Sequence, residues 1–181
     1  MGTVNCTKAC WDIMREQGYG RIVVTTSSSG LYGNFGQSNY GSAKMGVIGF
    51  MNTLVQEGAK YDIRVNALAP TAGTRMTEGL IPEGAFELLS PETVTPAVLY
   101  LVSEDAPNRT ILCAGAGAYA VAKIVETDGT WLKPEEQTPE GIAAHWAAIT
   151  AVENEKVPQA GFEQTIKFTG KAADGLGIKL S

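Results

Sequence analysis

Three polar side chains near the start of the chain have the types and spacing needed to move a proton. Ser27, Tyr40 and Lys44 lie in the stretch SSSGLYGNFGQSNYGSAK, which begins at residue 27. On a helix, side chains four residues apart stand on one face, so Lys44 can lie beside the Tyr40 phenol. A neighbouring cation favours the phenolate form of tyrosine. The spacing therefore predicts an acid–base pair that exchanges a proton with a carbonyl or hydroxyl oxygen, and Ser27 can hydrogen-bond that oxygen.

The same tyrosine–lysine spacing occurs a second time, at Tyr119 and Lys123. There it falls in a strand-like segment, and four residues of strand span about 13 Å. The lysine would then be too far from the phenol to act on it. We therefore interpret the second match as a coincidence of spacing.

Alternating helix and strand patterns indicate a parallel α/β sheet that carries the first site. Helices are expected at residues 3–17, 38–61, 91–104 (with Ser90 as N-cap) and after Thr138, and strands at 21–27, 63–70 and 111–127. After Pro158 the chain is predicted to be loop-like, with a Gly-rich tail. Ser27 would end the first strand, and open α/β sheets bind ligands beside the carboxyl ends of their strands.

Composition limits the classes of partner. The chain has 181 residues, 44% of them hydrophobic, which suits one globular domain. A net charge of −5 and a pI of about 4.9 argue against nucleic acid and membrane surfaces as partners. We expect the three cysteines to be reduced, buried thiols and His145 to be an ordinary polar position on a helix. No metal site is expected.

The residues of the first site resemble the short-chain dehydrogenase/reductase family. Ser27, Tyr40 and Lys44 are separated by GLYGNFGQSN, and the second strand is followed by APTAGTRMT, beginning at Ala69. That variant, together with the late segment TPEGIAAHW, is similar to the branch of (3R)-hydroxyacyl-CoA dehydrogenases. The resemblance runs from residue 1 to about residue 170.

The resemblance implies a role for each of these residues. Tyr40 would be the general acid/base, Lys44 would support it and hold the nicotinamide ribose, and Ser27 would orient the substrate oxygen. Four residues would lie along the nicotinamide and pyrophosphate: Ala72, Gly73, Thr74 and Arg75. The implied reaction is reversible hydride transfer between NAD or NADP and a 3-hydroxyacyl or 3-oxoacyl thioester.

The family's nucleotide-binding half has no recognisable counterpart in this sequence. GAGAYA, at 115–120, has the spacing of a dinucleotide fingerprint, but no helix is expected after it. The resemblance therefore predicts the C-terminal half of a Rossmann-like, doubly wound fold with three strands. Its catalytic half would span 1–133, with a C-terminal helix and extension of the same domain at 134–181. We expect the N-terminal half, or a complementary chain, to be needed for turnover, and strand 21–27 to be an exposed edge.

Two other functions fit the same pattern. One is a non-catalytic assembly module, and the other is a short-chain dehydrogenase that acts on another alcohol or ketone. Retention of Ser27, Tyr40 and Lys44 at matching spacing favours an enzyme, and APTAGTRMT favours the acyl thioester. A homo-oligomer through helices 1–17 and 38–60 is expected. The chain ends in IKLS instead of a peroxisomal S-K-L, so a cytoplasmic setting is expected, or a peroxisomal one if the source is eukaryotic.

Overall fold

The computed structural model describes residues 1–79 and 82–180, which form two compact units. The first unit is Met1–Ala122 and the second is Lys123–Ser181. The predicted division into 1–133 and 134–181 separates the chain by function, and it remains a prediction.

The first unit is an α/β sheet with flanking helices, as predicted. Its described strands lie in the order β1-β2-β3-β4: β1 Gly20–Thr25, β2 Ile63–Pro70, β3 Ile111–Gly115 and β4 Ala118–Ala122. β1, β2 and β3 pair in parallel, and β4 pairs antiparallel with β3. The helices are α1 Gly2–Gln17, α2 Ser28–Tyr32, α3 Ser38–Gly58, α4 Glu83–Leu88 and α5 Thr95–Leu101. β1 stands at one end of the described strand order, so the prediction that it is an edge strand is confirmed.

The prediction of three strands is wrong, because the segment 111–127 contains a hairpin. Ala116 and Gly117 have φ values of 51° and 73°, between the ends of β3 and β4. Positive φ at both residues is typical of the two-residue turns that connect the strands of a β-hairpin. GAGAYA is therefore strand, turn and strand, and the rejection of the dinucleotide fingerprint is confirmed.

The core of the first unit lies between α3 and the sheet. Ile48, Met51 and Val55 recur at helical spacing and are buried against β2 residues such as Ile63 and Val65. This apolar stripe holds the second half of α3 against the sheet. The first turns of α3 precede its first buried residue, Ile48, and carry Tyr40 and Lys44.

The predicted helix at 91–104 is shorter and interrupted. A 3₁₀ turn at Pro91–Thr93 precedes α5, and Pro96 lies in the first turn of α5. Proline has no N–H to donate, so it suits the start of a helix and disrupts the interior of one. Ser90 occupies the N-cap position of this 3₁₀ turn, as predicted, but its hydroxyl contacts the Glu92 carboxylate and makes no capping hydrogen bond to the backbone.

In the second unit, one prediction is confirmed and one is wrong. Thr138 caps α6 Pro139–Ala144 by accepting the Gly141 N–H at 3.0 Å; after His145 the chain continues as α7 Trp146–Ile149. The segment after Pro158 is not a loop, because α8 spans Gly161–Leu176. Two of its lysines bind the segment 126–128: Lys167 Nζ donates to the Thr127 carbonyl at 2.9 Å, and Lys171 Nζ donates to Asp128 at 2.7 Å. These contacts offset the low helix propensity of its glycines.

Helices of the described residues are too short or too polar to cross a membrane. Within the same residues, no group of three or more ligand-type side chains could hold a metal ion. The cysteines are free, but Cys6 and Cys10 are exposed and Cys113 is half-buried, so the expectation of buried thiols is wrong.

Candidate active site

Ser27 lies just beyond the strand that was expected to end with it. β1 ends at Thr25, and Thr26 makes a last backbone bond to β2, from its N–H to the Leu68 carbonyl at 2.8 Å. Ser27 is the N-cap of α2, and its Oγ accepts the Ser29 N–H at 3.2 Å. Serine is a preferred N-cap, and this local bond overrides the strand pattern. The serine still lies close to the carboxyl end of β1.

Tyr40 and Lys44 stand on the first turns of α3, as their spacing predicts. Lys44 Nζ lies 5.7 Å from the centroid of the Tyr40 ring and donates a hydrogen bond to the Thr25 carbonyl at 3.0 Å. The Tyr40 side chain is accessible, with 43% of the residue exposed. An ammonium group therefore sits beside a phenol that an incoming ligand can reach.

A close contact between α2 and α3 brings the serine and the tyrosine–lysine pair to one place. A Cβ on Gly30 would lie 2.7 Å from Lys44 Cβ, so α2 packs directly against α3 at Lys44. Gly41 approaches α2 in the same way, since its Cβ would lie 3.1 Å from the Ser29 carbonyl oxygen. Glycine at these positions lets the two helices come this near to each other.

The predicted cofactor segment, 72–75, follows β2 at the same end of the sheet. The Gly73 N–H donates to the Leu89 carbonyl at 2.6 Å, and the Thr74 N–H donates to Thr77 Oγ1 at 2.8 Å. Thr77 Oγ1 also contacts the Ala72 carbonyl at 3.2 Å. Arg75 is exposed. The carboxyl ends of parallel strands lie at the same end of a sheet. This segment and the Ser27 segment therefore lie at the same end.

Comparisons with known proteins find relatives that match most of this chain. The sequence profile described as short chain dehydrogenase matches residues 1–83. A short-chain type dehydrogenase/reductase of Mycobacterium tuberculosis is 46% identical over 164 residues, which are 90% of this chain and 56% of that protein. Peroxisomal multifunctional enzyme type 2 of Mus musculus is 43% identical over 167 residues, which are 91% of this chain and 23% of that protein.

A solved structure shows the same relationship. The full-length peroxisomal multifunctional enzyme type 2 of Drosophila melanogaster superposes with a TM-score of 0.84 at 34% identity, covering 97% of this chain and 32% of that chain. This chain belongs to the short-chain dehydrogenase/reductase family. The family resemblance predicted from the motifs is therefore confirmed, and with it membership of a family of oxidoreductases. The chain spans about half the length, 56%, of the mycobacterial relative.

The name of another relative includes its substrate. Acetoacetyl-CoA reductase of Rhizobium meliloti is 40% identical over 131 residues, which are 65% of this chain and 54% of that protein.

The second tyrosine–lysine match has a structural role, as predicted. Tyr119 lies in β4, and its hydroxyl donates to the Thr93 carbonyl at 2.8 Å. That bond links the hairpin to the 3₁₀ turn before α5. Within this short-chain dehydrogenase fold, the first match alone stands on a helix beside a serine.

Two shifted pKa values lie at the opposite end of the sheet, where β2 begins. Hydrogen bonding to the Arg21 guanidinium, 3.1 Å away, lowers the pKa of the Asp62 carboxyl. The Arg15 guanidinium, whose N–H reaches the phenol oxygen at 3.0 Å, lowers the pKa of Tyr61, and Lys60 adds to this effect. Both shifts belong to contacts that join elements of the fold, so perturbed titration does not mark a second reactive site there.

Thr26 was not predicted as a site residue, but it contacts the site through the backbone of Lys44. The residue is 1% exposed, and its Oγ1 donates to the Lys44 backbone carbonyl at 2.7 Å. In the sequence, Thr26 is one of five consecutive hydroxyl residues, TTSSS, and nothing there indicates that its hydroxyl is buried. Its partner, eighteen residues further along, could not be read from that pattern.

Proposed function

We propose that this chain carries the proton-transfer half of an NAD- or NADP-dependent dehydrogenase that acts on 3-hydroxyacyl and 3-oxoacyl thioesters. The supporting observation is the packing of the Ser27 helix onto the helix that bears Tyr40 and Lys44. This contact holds three groups with complementary proton chemistry at one edge of the sheet.

The three side chains divide the work at the substrate oxygen. In the oxidative direction the Tyr40 phenolate accepts the proton of the substrate hydroxyl, and in the reductive direction the phenol returns a proton to the carbonyl oxygen. The Lys44 ammonium, 5.7 Å from the centroid of the Tyr40 ring, places a positive charge beside the phenol. The Ser27 oxygen already accepts the Ser29 N–H, so its own O–H is free to donate to the substrate oxygen.

The residues at this edge fit a nicotinamide cofactor, which supplies the hydride acceptor or donor when bound. Lys44 uses one N–H on the Thr25 carbonyl, and an ammonium has three donors, so two remain for ribose hydroxyls. Arg75 is an exposed cation suited to a pyrophosphate oxygen. Gly73 keeps its segment close to α4, since a Cβ there would lie 3.0 Å from the Phe86 carbonyl oxygen. That bend would leave the backbone of 72–75 beside the cofactor.

The substrate class rests on sequence likeness. The Rhizobium relative is, by its name, a reductase of acetoacetyl-CoA, which is a 3-oxoacyl thioester. The segment APTAGTRMT, which first suggested this branch of the family, comprises the last two residues of β2 and the bend that follows it. We therefore propose an acyl thioester in preference to another alcohol or ketone.

The dinucleotide-binding element would come from residues beyond the 181 of this sequence, in the same polypeptide or in another. Among the described strands β1 pairs on one side only, with β2, so its other side offers backbone groups to a further strand. A second copy of the chain is the proposed partner for α1 and α3. Between these helices lies an open cavity of about 320 Å³. Four apolar residues line it together with four polar or charged ones, and the apolar ones are Val4, Trp11, Phe50 and Leu54.

The test is to join this chain to the nucleotide-binding half of the mycobacterial relative, as a fusion or by mixing. We expect the joined protein to oxidise NADH or NADPH with acetoacetyl-CoA, followed by nicotinamide absorbance, and the chain by itself to do so far more slowly. Activity confined to sugar or steroid ketones would contradict the substrate class. No hydride transfer with any of these ketones, by a folded fusion, would favour the non-catalytic assembly module. Full activity of the isolated chain would refute the need for a second half.

A further inference from the structure

Thr26 connects three parts of the site. Its N–H donates to the Leu68 carbonyl of β2 at 2.8 Å, and its Oγ1 donates to the Lys44 carbonyl of α3 at 2.7 Å. It stands immediately before Ser27 in the chain. The residue is 1% exposed, so the hydroxyl bond is shielded from water. A shielded hydrogen bond of this length is sensitive to any displacement of its partners.

Lys44 is held at two points by consecutive residues. Its backbone carbonyl accepts from Thr26, and its ammonium donates to the Thr25 carbonyl at 3.0 Å. One point fixes the turn of α3 and the other directs the side chain. Since Tyr40 lies on the preceding turn, a shift of this turn moves the phenol and the ammonium together.

We propose that Thr26 is a positioning residue, whose hydroxyl sets where Lys44 and Tyr40 lie relative to Ser27. Its consequence for catalysis rests on the proposed function, but its effect on Lys44 does not. The hydroxyl would act through the backbone of α3, without touching substrate or cofactor. Valine at this position keeps the β-branched shape and removes the donor, whereas serine keeps the donor.

The reactivity of the lysine tests the placement without any turnover. Reductive methylation with formaldehyde and cyanoborohydride, read by mass spectrometry, gives the rate at Lys44 relative to exposed Lys60 in the same molecule. We expect T26V to raise this ratio about threefold or more, because a displaced ammonium loses its bond to the Thr25 carbonyl, and T26S to leave it unchanged. Thr169→Val removes a similar hydroxyl-to-carbonyl bond in α8, at 2.8 Å, and should also leave the ratio unchanged. An equal ratio in T26V and wild type would overturn the proposal.

Two further measurements test whether T26V folds and whether its effect reaches catalysis. Should T26V fail to fold by circular dichroism, Thr26→Cys replaces it, because an S–H is a weak donor and should raise the ratio in the same direction. In the fusion with a nucleotide-binding half, T26V should lower kcat on the order of tenfold or more with little change in KM, and T26S should restore it.

The two kinds of failure look different. A changed Lys44 ratio in a fusion without hydride transfer would refute the proposed function and leave the positioning role standing. An active fusion in which T26V alters neither the ratio nor kcat would refute the positioning role alone.

Discussion

Replacing Gly30 by alanine should force apart the two helices that carry the site. The new Cβ would lie 2.7 Å from Lys44 Cβ, 2.9 Å from the Lys44 carbonyl carbon and 3.0 Å from the Met45 nitrogen. Two of these atoms are backbone and cannot rotate away. Carbon atoms in contact prefer about 3.5–4.0 Å, so α2 must move by about 1 Å. The change tests whether the contact between α2 and α3 sets the site geometry.

The size of the effect follows from two opposing contributions. Overpacking costs about 1–3 kcal/mol. Alanine in a helix gains about 0.5–1 kcal/mol over glycine. We therefore expect a net loss of about 0–2.5 kcal/mol in the free energy of unfolding. In a fusion with a nucleotide-binding half, a displacement of about 1 Å can lower kcat by on the order of 10²-fold.

The assay is urea unfolding followed by circular dichroism, with a matched glycine as control. Gly170 lies inside α8, and a Cβ there meets nothing within 4 Å. Gly170→Ala should therefore raise the free energy of unfolding by about 0.5–1 kcal/mol, opposite in sign to Gly30→Ala. If the two variants shifted stability in the same direction, the close packing of α2 on α3 would be refuted.

Two further predictions concern the pKa values shifted at the start of β2. The depressed pKa of Asp62, caused by Arg21, means that its contribution to stability is present above the unfolded-state pKa and is lost as pH falls through the lower folded-state pKa. Urea midpoints of Asp62→Asn and wild type should differ near neutral pH and converge below about pH 3.9, whereas a gap independent of pH would count against the contact. Arg15→Met should raise the pH at which the Tyr61 phenol ionises, because it removes the N–H that lowers that pKa. An unchanged midpoint in an ultraviolet titration, referenced to Tyr61→Phe, would contradict this.

The parts of the fold that the sequence predicted are those with long, regular patterns. The β-branched runs that became β1 and β2 are bounded by polar or glycine residues, and α3 carries an apolar stripe over many turns. The tyrosine–lysine pair falls within such an element, so its geometry could be anticipated. Its partner serine could be placed only near a strand end, because the choice between strand and cap depends on one side-chain bond to Ser29.

The missed parts depend on short or distant interactions. The hairpin turn at 116–117 occupies two residues inside a run of strand-forming residues. α8 contains several glycines, and its contacts to 126–128 come from residues some forty positions earlier. No local pattern reports such pairing, so a glycine-rich segment is read as a loop. The hydrogen bond from Thr26 to Lys44 could not be predicted for the same reason, because the acceptor lies on another secondary-structure element.

The proton-transfer role of Tyr40 can be tested with Tyr119 as the control, because Tyr119 is also followed by a lysine four residues later. In the fusion with a nucleotide-binding half, Tyr40→Phe should lower kcat for acetoacetyl-CoA reduction by about 10²–10⁴-fold, the usual contribution of a general acid. Tyr119→Phe removes the hydroxyl that binds the Thr93 carbonyl and should leave kcat within about twofold, because it lies outside the site. Equal rates for the two variants, or a larger loss in Tyr119→Phe, would contradict the assignment of the active site.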